Sequence, residues 1–283
     1  RHGMTVSVLV PSSLTREAGK REATRKVGTV ARAATIFRVD RITVYPDPDG
    51  AGDRDDGFVE TVLRYAATPP YLRKEVWGER DELAYAGVLP PLHVRSRTGS
   101  GPQSSGSSRQ GIVTEVGADG RVRVNCGLQH PISLPVPSSM TAPAPGERVT
   151  VRVSSREPVR AKLVDEAPPG YAVDAADLDS ALARPDAGTT IAASRHGRPL
   201  QTSSLDALAD RVCGDDGPSY TVAFGAPERG LPEILGVAPG AVGEEGETGR
   251  FDLWLNTVPE QGTDVVRTEE ALLATLACLN LME

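Results

Sequence analysis

A chain of 283 residues with 39% hydrophobic content can build one large domain or two smaller ones. No apolar run approaches the roughly 20 residues of a membrane span, and no leader pattern is visible, which predicts a cytoplasmic protein that does not enter the membrane. The three scattered cysteines (Cys126, Cys213, Cys278) have neither disulfide-framework nor metal-ligand spacing, so no metal site is expected, and the net charge of −7 argues at first against a nucleic-acid partner.

In chain order, TVSVLVP (5–11) is a β-branched run ended by proline and predicts a buried strand. The stretch from Leu14 to Phe37 has a helical apolar pattern, with Arg16, Lys20, Arg21 and Arg25 crowded into its first half. ITVY (42–45) reads as a second strand, PDPDGAGDRDDG (46–57) as a solvated acidic loop, and FVETVLRYAAT (58–68) as a helix stopped by Pro69-Pro70. Strand, helix, strand, helix predicts a parallel sheet with helices on its faces.

The pattern changes near Pro90-Pro91. TGSGPQSSGSS (98–108) reads as a loop. GIVTEVG and RVRVNCG alternate around an Asp119-Gly120 turn, a strong hairpin signal. ERVTVRVSS and PVRAKLVDE add two strands of period two, so 91–167 predicts a small barrel of the oligonucleotide-binding (OB) sort. After Pro168-Pro169-Gly170 the α/β rhythm returns, with strands at 188–194, 220–225 and 251–255 and helices at 204–213 and 268–282. The simplest architecture is one α/β domain made of residues 4–90 and 168–283, interrupted by a barrel at 91–167.

Charge follows the same divisions. Residues 1–45 hold 9 Lys+Arg against 3 Asp+Glu and residues 91–167 hold 10 against 6, while residues 168–283 hold 7 against 19. The basic helix (Arg16, Lys20, Arg21, Arg25) and the barrel (with Arg121, Arg123 and Arg152) are therefore basic segments within an acidic chain.

Candidate chemistry gathers at strand ends, where ligands of open α/β sheets sit. VAFGAPERGL puts Gly225 and Gly230 directly after an apolar strand, and NTVPEQG does the same with Asn256, Thr257 and Gln261. Neither is a dinucleotide fingerprint, and no Walker lysine is present. Two such loops at neighbouring strand ends would frame a pocket of backbone donors and acceptors, with side chains of Asn256, Thr257 and Gln261 added. That suits an uncharged heterocycle better than a triphosphate. Thr268 reads as the N-cap of the last helix, followed by Glu269 and Glu270 at its positive end. Arg195 and His196 follow a third strand, but no Ser/His/Asp set or carboxylate pair accompanies them. The chemistry is therefore expected from a cofactor.

These residues carry a resemblance. KVGTVARAATIFRVDRITVY (26–45), VAFGAPERGL and LNTVPEQGTDVVRTEEALLATLACL are similar, in order and spacing, to the three motifs of the SPOUT (α/β-knotted) RNA methyltransferases. With the mid-chain barrel, nearly the whole chain resembles archaeal and eukaryotic RNA methyltransferases that carry an inserted OB-like barrel. The resemblance implies a trefoil-knotted α/β domain, S-adenosyl-L-methionine (AdoMet) as cofactor, a homodimer and an RNA substrate whose phosphates the basic helix (Arg16, Lys20, Arg21, Arg25) and the basic barrel (Arg121, Arg123, Arg152) would hold. It places Arg195, Gly225, Asn256, Gln261 and Thr268 at the cofactor, with Phe224, Glu228, Gly230, Thr257 and Gly262 adjacent. Arg32 matches the first-motif arginine, near the target nucleotide or across the dimer interface, and Arg32 and Arg195 are the candidate catalytic residues. The nearest such relatives suggest uridine N3 of large-subunit ribosomal RNA as acceptor. The alternative is a non-catalytic RNA-binding or assembly factor that keeps the knotted fold.

Overall fold

The computed structural model describes residues 5–50, 57–94, 107–214, 217–239 and 250–280. Most of the 98–108 loop and the last residues of the 268–282 helix therefore lie outside the described residues. In chain order the first elements are β1 (Val6–Pro11), α1 (Lys20–Ile36), β2 (Arg41–Tyr45), α2 (Phe58–Ala67) and α3 (Pro70–Trp77). The middle holds β3 (Ser107–Val116), β4 (Arg121–Asn125), β5 (Ile132–Pro135), β6 (Arg148–Arg156) and β7 (Val159–Val164). Then come β8 (Ala172–Ala175), α4 (Leu178–Leu182), β9 (Thr189–Pro199), α5 (Leu205–Val212), β10 (Cys213–Gly214) and β11 (Gly217–Pro218). The chain ends with β12 (Tyr220–Phe224), α6 (Leu231–Ile234), β13 (Leu253–Asn256) and α7 (Thr268–Leu279).

The chain forms two compact units: Arg1–Ala67 with Asp81–Leu92 and Tyr171–Glu283, and Thr68–Arg80 with His93–Gly170. The first unit is built on a six-stranded sheet of order β13-β9-β12-β1-β2-β8, parallel at every pairing. Its central strands are buried on both faces, as all-parallel sheets require: β1 and β12 are buried along their whole length. α1 packs against α2 and α7. Only part of the predicted 14–37 helix is α-helical. Ser12–Thr15 is a 3₁₀ turn, and α1 begins after Gly19, whose extended backbone makes it the N-cap.

The second unit is an antiparallel sheet of order β5-β4-β3-β6-β7, nearly closed into a barrel around Val113, Val122, Val124, Val149, Val151 and Leu163. The Asp119-Gly120 hairpin is present, with Gly120 at φ +75° where a side chain would be strained. Helix α3 belongs to this unit, although sequence patterning ends the preceding helix at Pro69-Pro70 and assigns no helix there. Pro70 at the first helical position explains the restart, since proline stops one helix but suits the first turn of another.

Candidate functional site

Three segments meet at the carboxyl ends of β9, β12 and β13. Strand β9 leaves the sheet partway: Ala192 pairs with Trp254, but the next β13 residue, Leu255, pairs with Arg198. Residues 193–197 therefore bulge away from β13, with Ala193 still paired to Phe224 of β12, where the sequence reads only a strand end. Gly197 closes the bulge against β13, because a Cβ there would lie 2.7 Å from the Leu255 backbone. Beside it, β12 runs into a tight turn in which the Ala226 and Arg229 backbones bond to each other and Glu228 takes φ +60°. Gly225 sits where a Cβ would come within 2.7 Å of Leu231 N, so only glycine fits this approach.

The third segment links β13 to α7, and its polar side chains brace loops. Asn256 Nδ2 donates to Arg195 O at 3.1 Å, and Asn256 Oδ1 accepts from Val258 N at 3.0 Å. Gln261 Nε2 donates to Thr263 O at 2.8 Å, and the Thr257 and Thr275 hydroxyls pair at 2.8 Å. Thr268 is not the N-cap that the sequence suggests. That position is Arg267, whose N–H donates to Glu270, and the Thr268 hydroxyl donates to Gly225 O at 2.7 Å. A long-range acceptor outcompetes the local cap, and the bond ties α7 to the loop after β12.

The segments enclose a cavity of about 410 Å³, within the range of small-molecule sites. Arg195, Phe224, Gly225, Glu228, Gly230, Asn256, Thr257, Gln261 and Thr268 line it, so sequence candidates from three distant segments come together. Gly262 does not line it, and neither does Arg32, whose Nη1 donates to Leu92 O at 2.6 Å. Ser194, His196, Arg229, Leu231, Val258, Val265 and Val266 complete much of the wall. His196 Nε2 lies 3.3 Å from Arg195 Nε.

Arg229 stands between the candidates Glu228 and Gly230, and nothing in the local sequence singles it out. Its Nε bonds both carboxylate oxygens of Asp47 at 3.1 and 3.2 Å, and Ser13 Oγ donates to the same carboxylate at 2.5 Å. Asp47 is 1% exposed, so the expectation of a solvated acidic loop at 46–57 fails at this residue. Tyr45 OH donates to Phe224 O at 2.5 Å, and burial pushes its phenol well above the ordinary range, which keeps it a donor. The end of β2 thus clamps the cavity wall at both Phe224 and Arg229.

The candidate RNA-binding residues lie outside this cavity. On α1 and just before it, Arg16 and Arg21 are exposed, Lys20 pairs with Asp81, and Arg25 pairs with Glu22. On the barrel, Arg121 bonds Ser133 through its side chain, Arg123 pairs with Glu115, and Arg152 pairs with Glu166. Arg121 and Arg123 alternate with buried Val122 and Val124, so both point outward. Among the described residues no cluster of His, Cys, Asp or Glu could hold a metal ion, and no helix is long and apolar enough to cross a membrane.

Known proteins resemble this chain along its whole length. It is 70% identical to an uncharacterized protein of Haloarcula marismortui over 284 residues, covering 99% of this chain and 100% of that protein. An uncharacterized protein of Halobacterium salinarum is 63% identical over 287 residues, covering 99% and 100%. The 28S rRNA (uridine-N(3))-methyltransferase of Homo sapiens is 29% identical over 317 residues, covering 97% of this chain and 77% of that enzyme. The family described as "Putative RNA methyltransferase" matches residues 5–279. With the parallel sheet, the inserted barrel and the looped cavity in place, the chain belongs to this SPOUT-like family and is an AdoMet-dependent RNA methyltransferase.

Proposed function

We propose that the cavity at the ends of β9, β12 and β13 holds AdoMet and that the enzyme methylates N3 of a uridine in large-subunit ribosomal RNA. The observation that supports the cofactor site is the convergence of three loops on one cavity of about 410 Å³. Its chemistry fits an adenosine-bearing ligand. Side chains of Asn256, Gln261 and Thr268 are spent on shaping the loops, which leaves backbone groups beside apolar Phe224, Leu231, Val265 and Val266. The absence of a side chain at Gly225 lets the Gly230–Leu231 backbone fold tightly against it, which shapes one wall of the cavity. Arg195, Phe224, Gly225, Glu228, Gly230, Asn256, Thr257, Gln261 and Thr268 would hold the cofactor, with Gly262 in the same loop.

When bound, AdoMet supplies an electrophilic methyl group on a sulfonium. The protein's task is alignment of the acceptor with that group and stabilisation of the negative charge left on uracil as N3 loses its proton. Exposed Arg195, at the cavity rim, suits the second task, and Arg32 suits it across a dimer. The uridine N3 target rests on the human relative. A trefoil knot is the proposed course of the segment between β13 and α7, which returns from the sheet edge to reach Gly225. A homodimer is part of the same reading, and α7 supports it: Leu272, Leu276 and Leu279 are buried, whereas Leu273 and Ala274 are only partly covered and Ala277 is exposed. The barrel, as a separate module at about 91–167, and the α1 helix would hold RNA phosphates.

Calorimetry with the purified protein tests the cofactor; absence of AdoMet and S-adenosylhomocysteine binding, or loss of binding on chelation, would reject it. Mass-spectrometric mapping of ribosomal RNA from a strain lacking the gene tests the target. Loss of one 3-methyluridine is expected, and an unchanged methylation map would reject it.

A further inference from the structure

The barrel unit has a second feature that its surface arginines do not explain. Thr68–Arg80 with His93–Gly170 holds 13 Lys+Arg against 8 Asp+Glu, in a chain of net charge −7. Its aromatic residues are two, Tyr71 and Trp77, and both lie on α3 rather than on a strand. The barrel core is filled by aliphatic side chains, so neither ring is needed there. Each ring has an arginine against it: the Arg109 guanidinium lies 5.9 Å from the Tyr71 centroid, and that of Arg80 lies 5.2 Å from Trp77.

Both rings are held in place. Tyr71 OH donates to Gln110 O at 3.0 Å, and its ring lies so close to Gly127 that a Cβ there would come within 2.7 Å. Trp77 Nε1 donates to Thr68 Oγ1 at 2.9 Å. Yet Tyr71 remains 49% exposed, so a large apolar surface is fixed in position and open to solvent. Six residues of α3 separate the rings by about 9 Å of axial rise and about 120° of rotation, so they are two separate base sites on one helix and not a single stack. Lys74, exposed between them, adds a further positive charge.

Fixed aromatic faces with adjoining cations on a positive module suit bases that have left the stack, because any base can lie on a ring while its phosphates face the cations. We propose that α3 and the Arg109–Gln110 stretch of β3 form a binding platform for single-stranded RNA, taking unstacked bases at Tyr71/Arg109 and Trp77/Arg80. This rests on the reading of the chain as an RNA methyltransferase and assigns the single-strand contact within its barrel unit.

The test uses the full chain and a labelled ten-nucleotide uridine-rich RNA, with fluorescence anisotropy as readout. An oligonucleotide of the same length lacking bases is the second probe. Tyr71→Leu and Trp77→Leu should each weaken binding of the base-bearing RNA by about 5- to 150-fold, the range for loss of one stacking contact. Tyr71→Phe, which keeps the ring, should bind it like wild type, and all three variants should bind the abasic probe like wild type. AdoMet calorimetry and circular-dichroism melting confirm that each variant is folded. Retention by Tyr71→Leu of the wild-type affinity for base-bearing RNA, or an equal loss on the abasic probe, would overturn the platform. Wild-type protein that binds neither probe would overturn the RNA reading with it, whereas failure of Tyr71→Leu alone to lose affinity removes only the platform.

Discussion

Replacing Arg229 with methionine keeps most of the side chain's packing but removes the cation from a carboxylate that is 1% exposed. Asp47 would retain the Ser13 hydroxyl as its side-chain donor, at 2.5 Å. Removing one partner of a buried ion pair costs about 3–5 kcal/mol, and the surviving serine places the expected loss near the lower end, about 3 kcal/mol. The reverse change, Asp47→Asn, should cost less. Arg229 keeps Asp49 and Glu233, each at 3.5 Å with side chains 87% and 59% exposed, so its charge is not stranded. One charged hydrogen bond is lost, at about 1.5–3 kcal/mol.

The double variant should then be more stable than the sum of the single losses predicts, by about 0.5–3 kcal/mol. Urea unfolding would read this through Trp254 fluorescence in a Trp77→Phe background, so that only the α/β unit is followed. AdoMet affinity should fall with Arg229→Met, because the turn at Ala226–Arg229 forms part of the cavity wall, at tenfold for each ~1.4 kcal/mol transferred to binding. If Asp47→Asn destabilises as much as Arg229→Met, the stranded carboxylate is not the dominant cost and the reasoning fails.

Gly225→Ala should abolish AdoMet binding in calorimetry, since its Cβ would strike the backbone of Gly230 and Leu231 rather than a movable side chain. Arg195→Ala should weaken AdoMet binding, whereas Arg32→Ala should leave it intact and lower single-turnover methyl transfer by ~10²–10³; a rate within about threefold of wild type would remove Arg32 from the active site. Asp186 is held below the usual carboxylate range chiefly by its hydrogen bonds from Arg41, against the opposing effect of burial. A depressed carboxyl stabilises the fold above its unfolded pKa and loses that contribution as pH falls through the folded value. Acid unfolding of Arg41→Met should therefore show a shallower loss of stability below about pH 4 than wild type.

Much of this fold is legible in local pattern. The β-branched runs that became β1, β2 and β12, the Asp119-Gly120 hairpin and the glycine of the loop after β12 all report their structure through neighbours in sequence. What local pattern misses is set by partners far away. Asp47 lies in an acidic, glycine-rich stretch and looks solvated, yet Ser13 and Arg229 bury it from 34 and 182 positions away. Thr268 has the residue type of a cap, but a carbonyl 43 positions earlier takes its hydroxyl. The 193–197 bulge is invisible until β13 pairs with β9 on both sides of it. In the candidate site, the motifs identify which loops meet, and the bracing bonds among them decide which side chains still face the cavity.

The strand order has a consequence for how the protein is made. β1 lies between β2 and β12, and its Val6–Tyr220 pairing joins residues far apart in the chain. The cavity needs β13 and the start of α7 as well, so its wall is incomplete until those two elements have been synthesised. The barrel strands, in contrast, span no more than the Ser107–Val153 pairing and are complete by Val164. Local pairing forms faster than distant pairing, so the barrel unit should be native on the nascent chain while the α/β unit still waits for β13. Pulse proteolysis of stalled chains ending near position 200 should find the barrel protected and β1 open to cleavage.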